Sequence, residues 1–234
     1  MDKNKIISII VVVVVVLAVA GFFMFRGDKI NNPTSGNPES VATVNGVTIS
    51  KTVYDAQLTS AISSYKTQGI DVTKADELAK IKTQVLNNLI DNELVSQGIV
   101  SSGIKVDDAD IEKQIQDIIK QTGGADKFQV ELTKANLTEA QLRDNISKQL
   151  TLQKYLEANV DVSKITVSDT EISEFYKQYS DAQKTASSTT KVPALKELSD
   201  QIKQQITSNK QQALINDFVA SLRSKAQITT STAL

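Results

Sequence analysis

No proline interrupts the chain between Val41 and Val192, although Pro33 and Pro38 stand just before that stretch and Pro193 just after it. Proline removes a backbone donor and clashes with the preceding helical turn, so its absence permits long, unbroken helices. The apolar residues use that permission. Tyr54, Leu58, Ala61, Ile62 and Tyr65 recur at helical spacing behind Ser50, a good capping residue, and the helix they predict stops before Gly69. A second helix, with Thr73 as its expected cap, carries two stripes: Leu78, Ile81, Val85 and Leu89 on one side, Leu86, Ile90 and Leu94 on the other. Two stripes predict cover from two sides. Gly98 and Gly103 are its candidate stops.

Asp107 or Asp108 opens a third helix with Ile111, Ile115, Ile118 and Ile119, ended by Gly123-Gly124. A short helix with Phe128 and Leu132 follows. Thr138 with Gln141, and Ser168 with Glu171, have the spacing of capping boxes. The first opens a helix bearing Leu142, Ile146, Leu150 and Tyr155, up to about Asn159; the second opens one bearing Ile172, Phe175, Tyr176 and Tyr179. Ile165-Thr-Val167 between them reads as extended. Ahead of all these helices, Val41 to Ile49 alternates around Asn45-Gly46, the pattern of a hairpin closed by a type I′ turn. Ser180 to Val192 is polar and reads as a loop. Pro193 then suits the first position of a final helix reaching about Ala226. Along that helix Leu195, Leu198, Ile202 and Ile206 share one face, while Ile215, Phe218, Val219 and Leu222 sit nearly opposite. Its two halves are therefore expected to pack on different partners, or the helix to break between them.

Ile6 to Phe25 is a run of 20 residues without a charge, apolar apart from Ser8. As a helix it would extend about 30 Å, the thickness of a bilayer's hydrocarbon core. Lys3 and Lys5 precede it and Arg26 and Lys29 follow it, so basic residues orient it weakly. Ala18-Val19-Ala20 would serve as the cleavage site of a signal peptide. An uncleaved anchor would keep Gly21 to Phe25, and residues 1–29 are read as that anchor or as a signal sequence. No Cys follows, which excludes a lipoprotein anchor. Either reading puts residues 30–234 outside the cytoplasm, behind a linker over 30–40 that contains NNPTSGNPES.

Composition narrows the chemistry. The chain has 26 basic and 27 acidic side chains and no His or Cys. A net charge of −1 gives no general attraction to nucleic acid, and no nucleic-acid partner is expected. Without Cys there is no disulfide, thiolate nucleophile or thiolate metal site. Without His there is no Ser-His-Asp triad, no HExxH site and no imidazole acting as acid and base near neutral pH. No spacing selects a pair of carboxylates for hydrolysis. No cofactor is expected, and the chain reads as a non-enzyme.

The order of the segments carries a resemblance. Val44-Asn45-Gly46-Val47-Thr48-Ile49-Ser50, then Val85 to Leu94 (VLNNLIDNEL) with Gly103-Ile104-Lys105-Val106, resemble the opening strand and second helix of the SurA, PrsA and PpiD group of extracytoplasmic folding factors. Phe128 to Leu150, containing LTEAQLRDNISKQL, is similar to that group's paired helices, and Val167 to Tyr176 to the helix leading into its catalytic module. Gln201 to Ile228, with KQQALINDFVASLRSKAQI, resembles its long C-terminal helix. The resemblance favours Gly103 over Gly98 as the stop of the second helix. It implies a trigger-factor-C-like helical chaperone domain over 41–180, completed by a helix over 193–230 that packs back on the N-terminal part.

The departure is as informative. In that group a parvulin prolyl-isomerase domain follows the helix that here ends near Tyr179. Residues 181–192 are too few for any domain, and parvulin sites rely on His. The resemblance thus implies the polypeptide-binding half alone: a holdase for unfolded or newly translocated chains, tethered to the membrane through Ile6–Phe25 and placed near the translocation machinery. Tyr54, Ile62, Tyr65, Phe128, Leu132 and Tyr155 are the expected client-binding residues of the cradle. The rival reading is a tethered structural or adaptor protein that holds one defined envelope partner.

Other features read as structural. Asp107, Asp108 and Asp110 lack the calcium-loop spacing and fit a helix N-terminus, and no metal is expected there. Asn136-Leu-Thr and Asn145-Ile-Ser match glycosylation sequons in a helix-rich setting. Gln201, Gln204, Gln205, Gln211 and Gln212 form either a solvated face or a coiled-coil surface.

Overall fold

The computed structural model describes residues 40–186 and 192–231, and the apolar run Ile6–Phe25 lies outside them. The chain forms two compact units: one holds the described residues up to Tyr155 and those from Lys225 onward, the other Leu156 to Ser224.

The first unit starts with β1 (Ser40–Val44) and β2 (Val47–Ser50). They pair antiparallel, Val44 opposite Val47 and Ala42 opposite Ile49, with a register shift near Ser40. Asn45 and Gly46 both have positive φ, 50° and 85°, as a type I′ turn requires. A third strand, β3 (Ile228–Thr230), adds to the other edge of β1, giving the order β2-β1-β3. It is absent from the sequence reading. What returns to pair with the N-terminal hairpin is this strand, beyond the end of the last helix. Asn45 also ties the return together. Its N–H donates to the Gln227 carbonyl and its Oδ1 accepts from the Gln227 N–H, both at 2.8 Å, while its Nδ2 donates to Gln97 Oε1. The amide side chain supplies acceptor and donor from separate atoms, so both bonds form at once.

Ser50 caps α1 (Lys51–Thr67), its Oγ accepting from the Val53 N–H. In contrast, Thr73 does not cap α2 (Ala75–Ser102), because Lys74 occupies the cap position. The Thr73 N–H and hydroxyl are instead taken by Asp71 Oδ1, at 3.1 and 2.6 Å. These bonds draw Thr73 into a local turn one residue ahead of the cap position. Helix α2 stops at Gly103 in the left-handed region (φ 66°) and runs straight through Gly98.

Helices α3 (Asp108–Thr122), α4 (Ala125–Lys134) and α5 (Glu139–Asn159) follow at the expected places. They enclose a core of Ile111, Ile115, Phe128, Leu132, Leu142 and Ile146. The capping box at α5 is complete: Thr138 Oγ1 accepts from the Gln141 N–H, and Gln141 Oε1 accepts from the Thr138 N–H. Asn145 is 5% exposed within this helix, with its Nδ2 unpartnered, so its sequon offers no acceptor for a glycan.

The second unit contains a 3-10 turn (Val162–Lys164), α6 (Asp169–Ala186) and most of α7 (Leu195–Lys225). Its core is smaller: Ile172, Ile202 and Ile206, flanked by Phe175, Tyr176, Leu195 and Leu198. Two boundaries differ from expectation. Helix α6 continues past Tyr179 to Ala186, so half of the expected polar loop is helical. Helix α7 begins at Leu195, after Pro193 rather than on it; Ala194 donates its N–H to Glu197 Oε2 across the first turn. The helix does not break at its polar middle but stays continuous over 31 residues. The Gln side chains there bond along the helix, Gln205 to Asn209 and Gln212 to Asn216.

Candidate functional site

The sequence-expected residues divide by burial. Phe128 and Leu132 belong to the core between α3, α4 and α5. Tyr54 is 3% exposed, its hydroxyl donating to the Lys82 carbonyl at 3.4 Å, and burial raises its phenol pKa above the ordinary value. Tyr155 is 4% exposed and fills the space over Gly98: a Cβ there would lie 2.0 Å from the tyrosine Oη. That close approach explains a glycine inside a helix. Ile62 and Tyr65 are half-buried on α1, with the Tyr65 hydroxyl on Gln84 Oε1 at 2.9 Å. Four of the six thus fill interior positions, and the structure does not gather the set into one open surface.

An open concave surface does exist elsewhere, wholly inside the second unit. It is a cleft of about 710 Å³ between residues 159–166 and the second half of α7. Val160, Ile165, Leu214 and Phe218 supply an apolar floor, and Asp161, Lys164, Lys210 and Asp217 stand at its rim. None of the six expected residues lines it. Phe218 was on the second apolar face of the last helix, and that rotated face was the one sequence signal pointing here.

Two local devices hold the wall. Asp161 Oδ1 accepts from the Ser163 N–H and hydroxyl, at 3.1 and 2.5 Å, and Lys164 Nζ lies 2.9 Å from Asp161 Oδ2. These bonds, the Ser163 hydroxyl foremost, hold the Asp161 carboxyl at about 2. On the other side Lys210 Nζ donates to the Thr166 carbonyl at 2.7 Å and reaches Glu171 Oε1 at 2.5 Å. Glu171 is at the same time the capping-box residue of α6, its Oε2 accepting from the Ser168 N–H and Oγ. Lys210 first, then Ser168, pushes the Glu171 carboxyl down to about 2. One lysine therefore pins both the extended segment and the start of α6 to α7. Among the described residues no group of acidic side chains is placed to hold a metal ion, and no helix is long and apolar enough to cross a membrane.

Residues 1–156 match the family model of the SurA-like N-terminal domain. The chain belongs to this family. The match ends where the chain passes from the first unit into the second, so the cleft lies beyond it. The family's chaperone SurA from Methylobacillus flagellatus is 26% identical over 158 residues, which are 67% of this chain and 35% of that protein. Chaperone SurA of Hydrogenovibrio crunogenus is 33% identical over 138 residues, 58% of this chain and 30% of its own length. Foldase protein PrsA 2 of Listeria monocytogenes is 33% identical over 102 residues, 44% of this chain and 34% of its own. The chain thus spans about a third of the length of these relatives. A solved SurA-like chaperone structure from Campylobacter jejuni, from the pair PEB4 and Cj1289, shares the fold with a TM-score of 0.53 at 15% identity, covering 83% of this chain and 99% of that one. The similarity is to a chaperone N-terminal domain and not to a catalytic one.

Proposed function

We propose that this chain is an extracytoplasmic holdase: it covers apolar segments of unfolded or newly translocated polypeptides and has no prolyl-isomerase activity. The observation that carries the reading is the open cleft of the second unit, apolar at its floor and polar at its rim, in a chain of the SurA-like family. Unfolded polypeptide exposes apolar side chains that associate with one another, and a concave apolar surface hides them reversibly. Membership of the family, with relatives named chaperone and foldase, supports the same reading. The chain has no GxxxxGK[ST] loop to couple release to nucleotide hydrolysis, so release would come from weak, rapidly exchanging contacts. The absence of His argues against a parvulin centre.

Ile6–Phe25 is the proposed tether, keeping the cleft near emerging chains. Tyr54, Ile62, Tyr65, Phe128, Leu132 and Tyr155 would then act through the shape and stiffness of the helical body. For the four buried among them, direct client contact would require the first unit to open. The test is suppression of aggregation by the full chain in lipid nanodiscs, added in molar excess to a chemically denatured, aggregation-prone protein. Light scattering should fall relative to empty nanodiscs, and unchanged scattering would sink the reading. Capture of one folded partner at fixed stoichiometry, without such suppression, would favour the adaptor instead.

A further inference from the structure

We infer that the cleft selects segments in which an apolar side chain neighbours a lysine or arginine; this rests on the reading of the cleft as the client site. The argument is which charges at the rim are already committed. Lys164 is engaged by Asp161 at 2.9 Å. Lys210 is engaged by Glu171 and by the Thr166 carbonyl. Each cation's charge is thus already met by a carboxylate of the wall, even though its ammonium keeps an N–H to spare. Asp217 is different. It is exposed, it follows Leu214 by three positions and immediately precedes Phe218, and among the described residues it makes no hydrogen bond or ion pair.

The cleft therefore offers an apolar floor with one uncompensated carboxylate beside it. A segment with an acidic residue next to its apolar anchor brings like charge to Asp217. A segment with a basic residue brings the complement, and the long stem of lysine or arginine can lie along the apolar floor while its head reaches the carboxylate. An exposed pair of this kind changes affinity modestly, roughly two- to fivefold, and fades in salt. Such a bias sorts clients without holding them long.

The experiment uses the full chain in nanodiscs of zwitterionic lipid and three fluorescent peptides. All share the same leucine and phenylalanine anchors, flanked by lysine, glutamine or glutamate. Binding is read by anisotropy, with empty nanodiscs subtracted. At low salt the order expected is lysine tightest and glutamate weakest, with roughly two- to fivefold between neighbours. Asp217→Asn should bring the lysine and glutamine peptides level, and Asp217→Lys should reverse the order. Affinity independent of peptide charge, or an order that survives Asp217→Lys, overturns the inference. Leu214→Ser separates the two levels, since Leu214 is 36% exposed and its replacement should leave the fold intact. If it weakens all three peptides while charge has no effect, the client reading stands and only the charge preference falls. If it changes none of them, or no peptide binds, the client reading of the cleft falls and the preference with it.

Discussion

The two units of this chain use different means to hold their shape. Between α3, α4 and α5 the first unit buries six apolar side chains in one cluster, with Ile115 and Ile146 each only 1% exposed. The second unit's core cluster has three, and its cleft wall depends on Asp161 and on the Lys210 bonds to Glu171 and Thr166. Apolar packing is strong, non-directional and indifferent to pH. Charge-assisted bonds at half-exposed positions are directional and sensitive to pH and salt. A unit held by apolar packing and a cleft held by adjustable polar bonds would suit the proposed holdase, which has to accept many sequences.

The comparison is broken most directly in the first core. Ile146→Ala should cost about 2–5 kcal/mol, the range for emptying a well-packed interior site. Ile206→Ala should cost less, because Ile206 is 8% exposed in a smaller cluster that can relax around the gap. Urea unfolding followed by circular dichroism checks both. If the two costs are equal, the first unit is not the better-packed half.

A smaller effect is expected at Gly98. Adding a methyl group there forces the Tyr155 ring out of its place, at about 1–3 kcal/mol for overpacking. Combining Gly98→Ala with Tyr155→Leu should cost less than the sum of the single changes, since both act on the same space. Additive costs would mean that the glycine serves some purpose other than admitting the tyrosine.

These features differ in how far they could be read in advance. Asn45-Gly46, Thr138 with Gln141 and Ser168 with Glu171 act within four residues, and the sequence pattern located all three. Thr73 is a misleading cap signal because Asp71, two residues away, holds it in a local turn and the helix starts one residue later. Strand β3 was invisible because Ile-Thr-Thr carries no alternation of its own and gains its partner from the far end of the chain. The extension of α6 over Asp181 to Ala186 has good helix formers but no apolar stripe, so periodicity ended too soon. The cleft was the hardest to see. Lys210 meets Thr166 from 44 positions away, and nothing near either residue announces the other. The expected client residues share aromatic and aliphatic character, which marks core as readily as groove.

The smallest predicted effect sharpens the contrast in acid. Glu171 has its carboxyl held at about 2 in the folded chain, against an ordinary 4.5. A depressed carboxylate stabilises the fold fully above the ordinary value, and that contribution disappears as pH falls from about 4.5 towards 2. Asp161 has its own contribution, lost as pH falls from about 3.8 towards 2. Both groups are in the second unit, so α6 and α7 should lose amide protection in that window before α3 to α5 do. Lys210→Met removes the largest contribution to the Glu171 shift. At pH 7 the variant's α6 and second half of α7 should exchange amide hydrogens faster than the parent's, and this difference should shrink as Glu171 protonates. Asp161 is unaltered in both proteins, so its titration cancels from the comparison. Exchange measured by mass spectrometry at several pH values, each normalised to the unstructured rate, resolves the two units. A difference that stays constant from pH 7 to pH 2.5 would show that Lys210 acts through its bond to the Thr166 carbonyl alone, leaving Glu171 as no more than a helix cap.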